Sequence, residues 1–537
     1  MARSLTRWEP DDARFWSETG KRVAWRNLMI SIPALLCGFG VWMMWSILSV
    51  QMLHLGFPFS SQELFTLTAI AGLSGATLRI PATFLIRLCG GGHTVLLTTL
   101  LLLFPAVGAA LALQNTDTPL WVFQGLALLS GLGGGNFASS MSNISAFFPK
   151  RMQGLALGLN GGLGNLGITV MQFVTPLAMT AAVFGGAGMV LQKSSGTPVG
   201  QIAAGTLAHP QNAGWMWVAA IVPLLFAVRW GMNNLGVSSV TPRVPPLSEA
   251  GVIIVKLLGV GVVMSAVGLW LMLPESGGGA SVTISKWIVV PAVAAATVLA
   301  MRFVLPRHAQ EGLRHQYGIF RNGHTWVMTL IYTMTFGSFI GFSAVLPLAI
   351  TIIFGFSHVP DAGGVLTHTT VNGQGPSAFV YAWIGPFVGA VARPLGGWLA
   401  DRWGGAAVTQ LCSVAMVAGA VAGGYYLSLA YGSATPEVYF PVTLSIFIVL
   451  FFASGLGNGS TFRTIGVVFN RERAGPVLGW TSAVAAYGAF LIPQILGEEI
   501  KRGEPAHAMY GFAVFYLVCL ALNGWVYLRP GARHFNA

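Results

Sequence analysis

Charged residues are scarce in this chain: of its 537 residues, only 8% are charged and 54% are hydrophobic. Because a soluble domain carries about 25% charged residues, this composition excludes a soluble enzyme. The chain also has no polar stretch long enough to form a soluble head on a single membrane anchor. A transmembrane β-barrel alternates in segments of about ten residues, whereas this chain has continuous apolar runs. The composition therefore predicts an all-α polytopic membrane protein.

Cysteine is also rare, and the four residues show no CxxC spacing: Cys37, Cys89, Cys412 and Cys519. Isolated cysteines in apolar runs are small buried hydrophobic residues rather than a disulfide framework or a metal site. The net charge is +12, but the basic residues lie at the ends of apolar segments, where membrane topology explains them. We therefore expect no metal, no cofactor and no nucleic-acid partner, and a lipid bilayer around the chain.

Acidic residues and histidines are absent from the middle of the apolar segments. Haem ligation needs histidines on facing spans, so a haem-bearing respiratory subunit or another membrane enzyme is disfavoured. Proton-coupled carriers use a buried ionisable group as a relay, so the sequence favours exchange of one anion for another over proton symport. Symport stays open, because water and substrate can also carry protons.

Fourteen apolar segments have the length of about 20 residues that a membrane-spanning helix needs. They cover 28–51, 62–86, 93–113, 119–147, 154–181, 214–235, 250–273, 287–305, 324–353, 378–400, 405–430, 438–464, 476–498 and 508–528. An even number places both termini on one side of the membrane. Lys and Arg concentrate in cytoplasmic loops, and 21 of the 28 fall on the side of the termini. Both termini are therefore predicted to be cytoplasmic.

Three short sequences recur in the same order, separated by 314 to 324 residues, which indicates duplicated halves. The pairs are 130–133 with 454–457, 154–158 with 475–479, and 74–81 with 389–396. With the segments at 250–273 and 287–305 taken as an inserted hairpin, the remaining spans form two halves of six helices. This is the arrangement of the major facilitator fold.

This division predicts five parts of the chain. They are a cytoplasmic N-terminal segment at 1–27, a six-helix half at 28–235, the inserted hairpin with a basic cytoplasmic linker at 236–323, a second six-helix half at 324–528 and a cytoplasmic tail at 529–537.

Arg79 and Arg393 lie within predicted spans at matching positions of the two halves. An arginine in a span costs roughly 2.5–3.5 kcal/mol on insertion scales and usually has a function. One isolated arginine could extend its side chain to the lipid headgroups, but two at equivalent positions would face each other across a central cavity. The cavity would be positive without a counter-charge, which favours a small anion over sugars or cationic drugs.

Glycines line one face of the fifth span and of its counterpart in the second half. They are Gly154, Gly158, Gly161, Gly162, Gly164, Gly475 and Gly479. A phosphate-binding loop is excluded, because no GK[ST] follows and the glycines lie inside an apolar span. Small residues allow helices to pack closely, and a smooth face would also let the two halves slide during rocking.

Several long strings resemble the nitrate/nitrite porter (NarK-like) family of the major facilitator superfamily. They include GGGNFASSMSNISAFFPKRMQGLALGLNGGLGNLG at 133–167, YTMTFGSFIGFSA at 332–344, GLGNGSTF at 455–462 and GAVARPLGGWLADRWGG at 389–405. The resemblance runs from WEPDDARFW at 8–16 to the last span. The inserted hairpin departs from the usual twelve-helix plan, and 184–213 is a long outside loop.

The resemblance implies a secondary transporter of nitrate and nitrite in the cytoplasmic (inner) membrane. It implies that Arg79 and Arg393 clamp the anion, with Asn165 beside it. It also implies that four aromatic residues line the site: Phe39, Phe137, Tyr332 and Phe336. Nitrate is planar with three acceptor oxygens, and a guanidinium offers parallel N–H donors. Antiport of nitrate and nitrite is the main expectation, and proton-coupled nitrate symport is the alternative.

Overall fold

The computed structural model describes residues 3–5, 7–235, 244–272, 284–360 and 366–537. Arg243, one of the 21 basic residues assigned above to the cytoplasmic side, lies outside these ranges, as do parts of the predicted segment 236–323.

The described residues of the N-terminal part form nine helices. They are α1 Ala13–Phe15, α2 Lys21–Met43, α3 Trp45–Leu55, α4 Ser61–Cys89, α5 Gly91–Leu101, α6 Leu103–Ala112, α7 Leu120–Phe147, α8 Gln153–Ala178 and α9 Asn212–Gly231. A π-helical segment, Trp16–Gly20, joins α1 to α2, and a 3-10 turn, Lys150–Met152, precedes α8. Single residues separate α2 from α3 and α5 from α6, so each pair is one bent helical rod.

Three helices connect this part to the rest: α10 Leu247–Met272, α11 Lys286–Val304 and α12 Arg307–Gln316. α10 packs mainly against α4 and α11. A 3-10 turn, Tyr317–Arg321, follows α12.

Nine further helices occur in the described residues of the C-terminal part. They are α13 Gly323–Tyr332, α14 Ser338–Ala349, α15 Ala378–Tyr381, α16 Ile384–Trp403, α17 Gly405–Tyr431, α18 Phe440–Val468, α19 Arg471–Ala486, α20 Gly488–Lys501 and α21 Pro505–Asn523. Their other helical segments are the π-helical Thr333–Gly337, Ile350–Phe354 and Gly524–Leu528 and the 3-10 turn Pro436–Tyr439.

Twelve helical segments of the described chain are long and apolar enough to cross a membrane. Two more long helices, α7 with 28 residues and α8 with 26, are not among them. Glycine, serine and asparagine dilute the apolar residues of α7 and α8. Together these helices agree with the predicted count of about fourteen, and the prediction of an all-α membrane protein is confirmed.

Among the described residues, short strands occur in the N-terminal segment and in the connections between helices. β1 Arg3–Leu5 pairs in parallel with β6 Asn233–Leu235. Three antiparallel pairs are β2 Met189–Val190 with β5 Leu207–Ala208, β3 Ser195–Thr197 with β4 Gly200–Ile202, and β7 Phe356–Pro360 with β8 Leu366–Val371.

The predicted sixth span, 214–235, is too long. α9 ends at Gly231, and the last residues of the predicted span form β6 instead. Asparagines hold this end in place. Asn27 accepts a 2.9 Å hydrogen bond from the backbone N–H of Asn233, and Asn234 accepts a 2.8 Å bond from the N–H of Gly92. These side-chain bonds compensate for helical bonds that the segment does not form.

Candidate anion site between the two halves

Arg79 lies in the middle of α4 and is fully buried. Its Nε donates to the carbonyl of Gly134 on α7 at 2.7 Å, and its Nη1 donates to the carbonyl of Ser482 on α19 at 3.3 Å. Its Nη2 has no hydrogen-bond partner among the described residues. Arg79 is therefore held from both halves of the molecule, with one nitrogen left to bind something else.

Arg393 lies on α16 and is also fully buried. Its Nη1 donates to the carbonyl of Gly161 on α8 at 3.3 Å, again across the two halves. In the part of the chain that the structure describes, its Nε and Nη2 have no hydrogen-bond partner. A buried cationic donor without a partner carries a large desolvation cost, so these nitrogens mark a place where an anion would be stabilised.

Phe336, in the π-helical segment after α13, lies close to both arginines. Its ring centroid is 4.7 Å from the guanidinium carbon of Arg79 and 5.1 Å from that of Arg393. The two carbons therefore lie within about 10 Å of each other, where like charges repel by at least roughly 1.7 kcal/mol at an effective dielectric constant of about 20. In the described chain, no carboxylate forms an ion pair with either arginine.

The aromatic residues implied by the resemblance come together around these cations. The rings of Phe137 and Phe336 stack across the two halves at 5.2 Å and 11°, and Tyr332 stacks on Phe336 at 5.5 Å and 18°. Phe39 meets Phe137 edge to face at 5.7 Å. In this structure the guanidinium of Arg79 lies 4.7 Å from the centroid of Phe137 and 5.7 Å from that of Phe39. The rings therefore stabilise the arginines through cation–π contacts and exclude water from them.

Other buried polar groups also lack partners among the described residues. Asn165 on α8 is fully buried, and neither atom of its side-chain amide has a hydrogen-bond partner there. The hydroxyl of Tyr332 is likewise buried without a partner. Buried polar groups are normally paired, so this concentration of unpaired donors is typical of a ligand site.

The structure adds residues that the sequence analysis did not select. Asn458 on α18 is fully buried with both amide atoms unpaired. One helical turn later on α18, Phe462 lies 5.5 Å from the ring of Tyr332. The guanidinium of Arg393 lies 4.5 Å from the centroid of Phe339, and that of Arg79 lies 4.9 Å from Trp42.

A signal for these residues was present in the sequence. Asn458 lies inside the GLGNGSTF string, and Phe339 follows Phe336 by three residues, which places both on one helix face. Trp42 follows Phe39 at the same spacing.

Three of the predicted glycines place α8 against the backbone of α16. A Cβ on Gly158 would lie 3.0 Å from the carbonyl oxygen of Arg393, and one on Gly162 would lie 2.6 Å from that of Ala390. A Cβ on Gly154 would lie 2.5 Å from a carboxylate oxygen of Asp401. Glycine at these positions permits the close approach of one helix from each half.

The other predicted glycines divide between three environments. Gly475 and Gly479 on α19 face Ser142 on α7 and Thr83 on α4, so they form a second contact between the halves. Gly161 faces the site, since a Cβ there would meet Phe462, Phe137 and Arg393 at 3.4–3.6 Å. Gly164 instead packs on Leu35 of α2, within its own half. Gly161 therefore lines the site, and Gly164 is a packing contact.

The site is closed at both ends of the helices. At one end, Asp401 accepts a 3.1 Å bond from the N–H of Leu155 on α8 and forms an ion pair with Arg463. At the other end, β3 lies between the halves: Ser195 donates to Gln51 at 2.8 Å, and the next residue, Gly196, packs on α15. The structure therefore shows an occluded arrangement with the arginines sealed inside.

Two helical halves around a sealed polar centre define a membrane carrier of the major facilitator fold. Two solved structures share this fold with the chain. Tetrameric PepTSo2 has a TM-score of 0.55 at 16% identity, covering 94% of this chain and 98% of that one. The major facilitator proton:xylose symporter XylE has a TM-score of 0.53 at 12% identity, covering 96% and 98%.

Sequence relatives identify the family. The probable nitrate/nitrite antiporter NarK2 of Thermus thermophilus is 36% identical, covering 98% of this chain and 97% of the relative. The nitrate/nitrite transporter NarU of Escherichia coli K12 is 33% identical, covering 99% and 97%. The chain belongs to the family of these nitrate/nitrite transporters. No family model matches it.

Proposed function

We propose that this chain transports nitrate and nitrite across the membrane by binding one anion between Arg79 and Arg393. The single observation that carries the proposal is the pair of fully buried arginines, one from each half, with three guanidinium nitrogens unpaired. The names of the relatives support nitrate and nitrite as the substrates.

The chemistry of the site matches a small planar anion. Each guanidinium presents its donors in one plane, so it can bond two oxygens of nitrate or nitrite at once. Asn165 and the hydroxyl of Tyr332 supply further donors. The aromatic rings keep water out, which strengthens these charge-assisted bonds.

Exchange follows from the absence of a counter-charge. Closing the halves brings two arginines together, and their repulsion is relieved only when an anion lies between them. An empty carrier would therefore change state slowly, and a carrier loaded with nitrate or nitrite would change state quickly. We propose nitrate/nitrite antiport on this ground.

The glycine contacts of α8 with α16 and of α19 with α4 and α7 are the proposed rocking surfaces. At both contacts, glycines let a helix of one half approach a helix of the other closely. The proposed halves are residues 28–235 and 324–528, with the hairpin inserted between them. The basic residues support an inner-membrane orientation with both termini in the cytoplasm.

Counterflow in proteoliposomes tests the proposal. Vesicles loaded with nitrite, with chloride, or with no added anion receive labelled nitrate outside, each with and without an imposed proton gradient. We expect uptake that needs internal nitrite and does not respond to the gradient. Arg402→Lys, at the end of α16, is a control for arginine-to-lysine substitutions at Arg79 and Arg393, and it should behave as the wild type.

Two results would contradict parts of the proposal. Gradient-driven uptake into vesicles without an internal anion would show proton symport, which is the second candidate and agrees with a substrate or water carrying the proton. Equal transport with chloride inside would show that the site does not select nitrite.

A further inference from the structure

A long apolar cleft separates α11 from the C-terminal half. Its volume is about 950 Å³. One wall is α11, including Pro291, Ala295 and Val298. The opposite wall comes from α13, the following π-helical segment, α19, α20 and α21, including Leu491 and Phe515. The cleft lies between membrane-spanning helices and is separate from the arginine site.

The hairpin reaches the C-terminal half without packing along it. α10 and α11 pack on α4, which belongs to the N-terminal half. At one end of the cleft, Lys286 of α11 forms a 2.5 Å ion pair with Glu498 of α20. The hairpin therefore packs beside the contact between α4 and α19. It is joined to the C-terminal half at one end by the ion pair, and the cleft separates α11 from that half.

Basic residues gather at the opposite end of the cleft. Tyr317 donates to the carbonyl of Val298 at 2.6 Å, and the guanidinium of Arg302 lies 5.0 Å from the ring of Tyr317. From 302 to 321 the chain has four arginines and one acid, Glu311. Glu472 and Arg473 of α19 line a small pocket beside α12 together with Arg87 and His315.

The same end has the features of a membrane surface. α12 is a short amphipathic helix that buries Ala309 and Leu313 and exposes Arg307 and Arg314. Basic amphipathic helices lie in the headgroup layer. Trp480 lines the cleft with a buried Nε1 that has no hydrogen-bond partner.

We propose that this cleft binds an anionic phospholipid. Its acyl chains occupy the apolar cleft between α11 and the C-terminal half, and its phosphate faces Arg302 and the basic face of α12. Charge complementarity selects the anionic headgroup, and an apolar space of this size within a bilayer is filled by lipid rather than by water. The bound lipid completes the packing between the hairpin and a half that moves relative to it.

Native mass spectrometry of the purified full chain tests the proposal. The protein is delipidated in detergent and then supplied with phosphatidylglycerol or phosphatidylcholine. We expect one phosphatidylglycerol to be retained in preference to phosphatidylcholine. Ala295→Trp fills the cleft and should lower its retention at least about tenfold, because buried methylenes provide most of lipid binding. Ala292→Trp, on the bilayer-facing side of the same helix, is the matched control.

A second pair of variants separates the headgroup from the chains. Arg302→Gln with Arg307→Gln should abolish the preference for phosphatidylglycerol while leaving phosphatidylcholine binding unchanged. Gly511→Trp fills the cleft from α21, where a Cβ meets no atom within 4 Å, and should reproduce Ala295→Trp. Equal lipid retention in Ala295→Trp, Gly511→Trp and Ala292→Trp would overturn the proposal. So would a cleft variant that changes the oligomeric state without changing lipid content, because a second copy would then be the occupant.

Discussion

The two arginines occupy equivalent places in the two halves, but their surroundings differ. Arg79 donates to two carbonyls and lies near four aromatic rings, with one nitrogen unpaired. Arg393 donates to one carbonyl and lies near two rings, with two nitrogens unpaired. Arg79 is therefore the better anchored cation, and Arg393 has more of its donor capacity available for a ligand.

This difference indicates that the two arginines have different roles within a pseudo-symmetric fold. A guanidinium that is already hydrogen-bonded to the protein mainly positions the anion. A guanidinium with unpaired nitrogens contributes more binding energy when an anion binds. If this is correct, substitutions at the two positions should have different consequences for substrate affinity and protein stability.

Arg79→Lys and Arg393→Lys should have the largest effects. A hydrogen bond to a charged group contributes about 1.5–3 kcal/mol, so loss of the two donors of the fork should reduce nitrate exchange more than about a hundredfold. Arg393→Lys should act mainly on nitrate affinity, and Arg79→Lys should also lower the melting temperature. Counterflow and thermal unfolding in detergent measure the two effects. Equal changes in stability for the two variants would remove the proposed distinction.

Gly162→Val should have the next largest effect, because a Cβ there would lie 2.6 Å from the carbonyl oxygen of Ala390. Overpacking typically costs about 1–3 kcal/mol, and the closed contact between α8 and α16 should be weakened, which we expect to slow exchange roughly tenfold. Gly161→Ala is the matched control for packing: its methyl fits at ordinary contact distances but faces the site. It should change nitrate affinity with little change in melting temperature.

Asn165→Ala and Asn458→Ala should lower nitrate affinity about three- to tenfold, since a neutral hydrogen bond contributes about 0.5–1.5 kcal/mol. Because both amides are buried without partners, removing them should leave the free energy of unfolding unchanged or raise it. Asn27→Ala, which removes an amide that is bonded to Asn233, should instead destabilise the protein without a direct effect on affinity. Destabilisation by all three variants would indicate a structural role for the two unpaired amides.

Phe336→Leu should have the smallest effect. It removes one cation–π partner from each arginine, and such contacts contribute about 0.5–1 kcal/mol, or more when desolvated. We expect nitrate affinity to fall roughly threefold to fivefold. Phe342→Leu, on the same helical rod but packed on Phe447, is the control, and an equal loss of affinity in that variant would assign the effect to general packing.

Much of the fold could be predicted because membrane insertion depends on local composition. Apolar length identified the helices, and the repeat around Arg79 and Arg393 identified the pseudo-symmetry. The predicted end of the sixth span was wrong because Asn233 and Asn234 form hydrogen bonds to residues distant in sequence. Hydropathy does not record such contacts. The break between Tyr332 and Ser338, where the helix becomes π-helical, carries no composition signal either.

The sequence by itself determined that the chain is a many-spanning membrane protein with an arginine within a span of each half and no acid in the middle of its predicted spans. Charge in a membrane segment is costly, so such residues stand out in an apolar sequence. The tertiary structure alone decided which groups are left without partners. Three features depend on which helices lie side by side: which of Arg79 and Arg393 is the better anchored, that Asn458 is buried with its amide unpaired among the described residues, and that Gly164 packs within one half. Such contacts are set by packing across the whole chain rather than by any local run of residues.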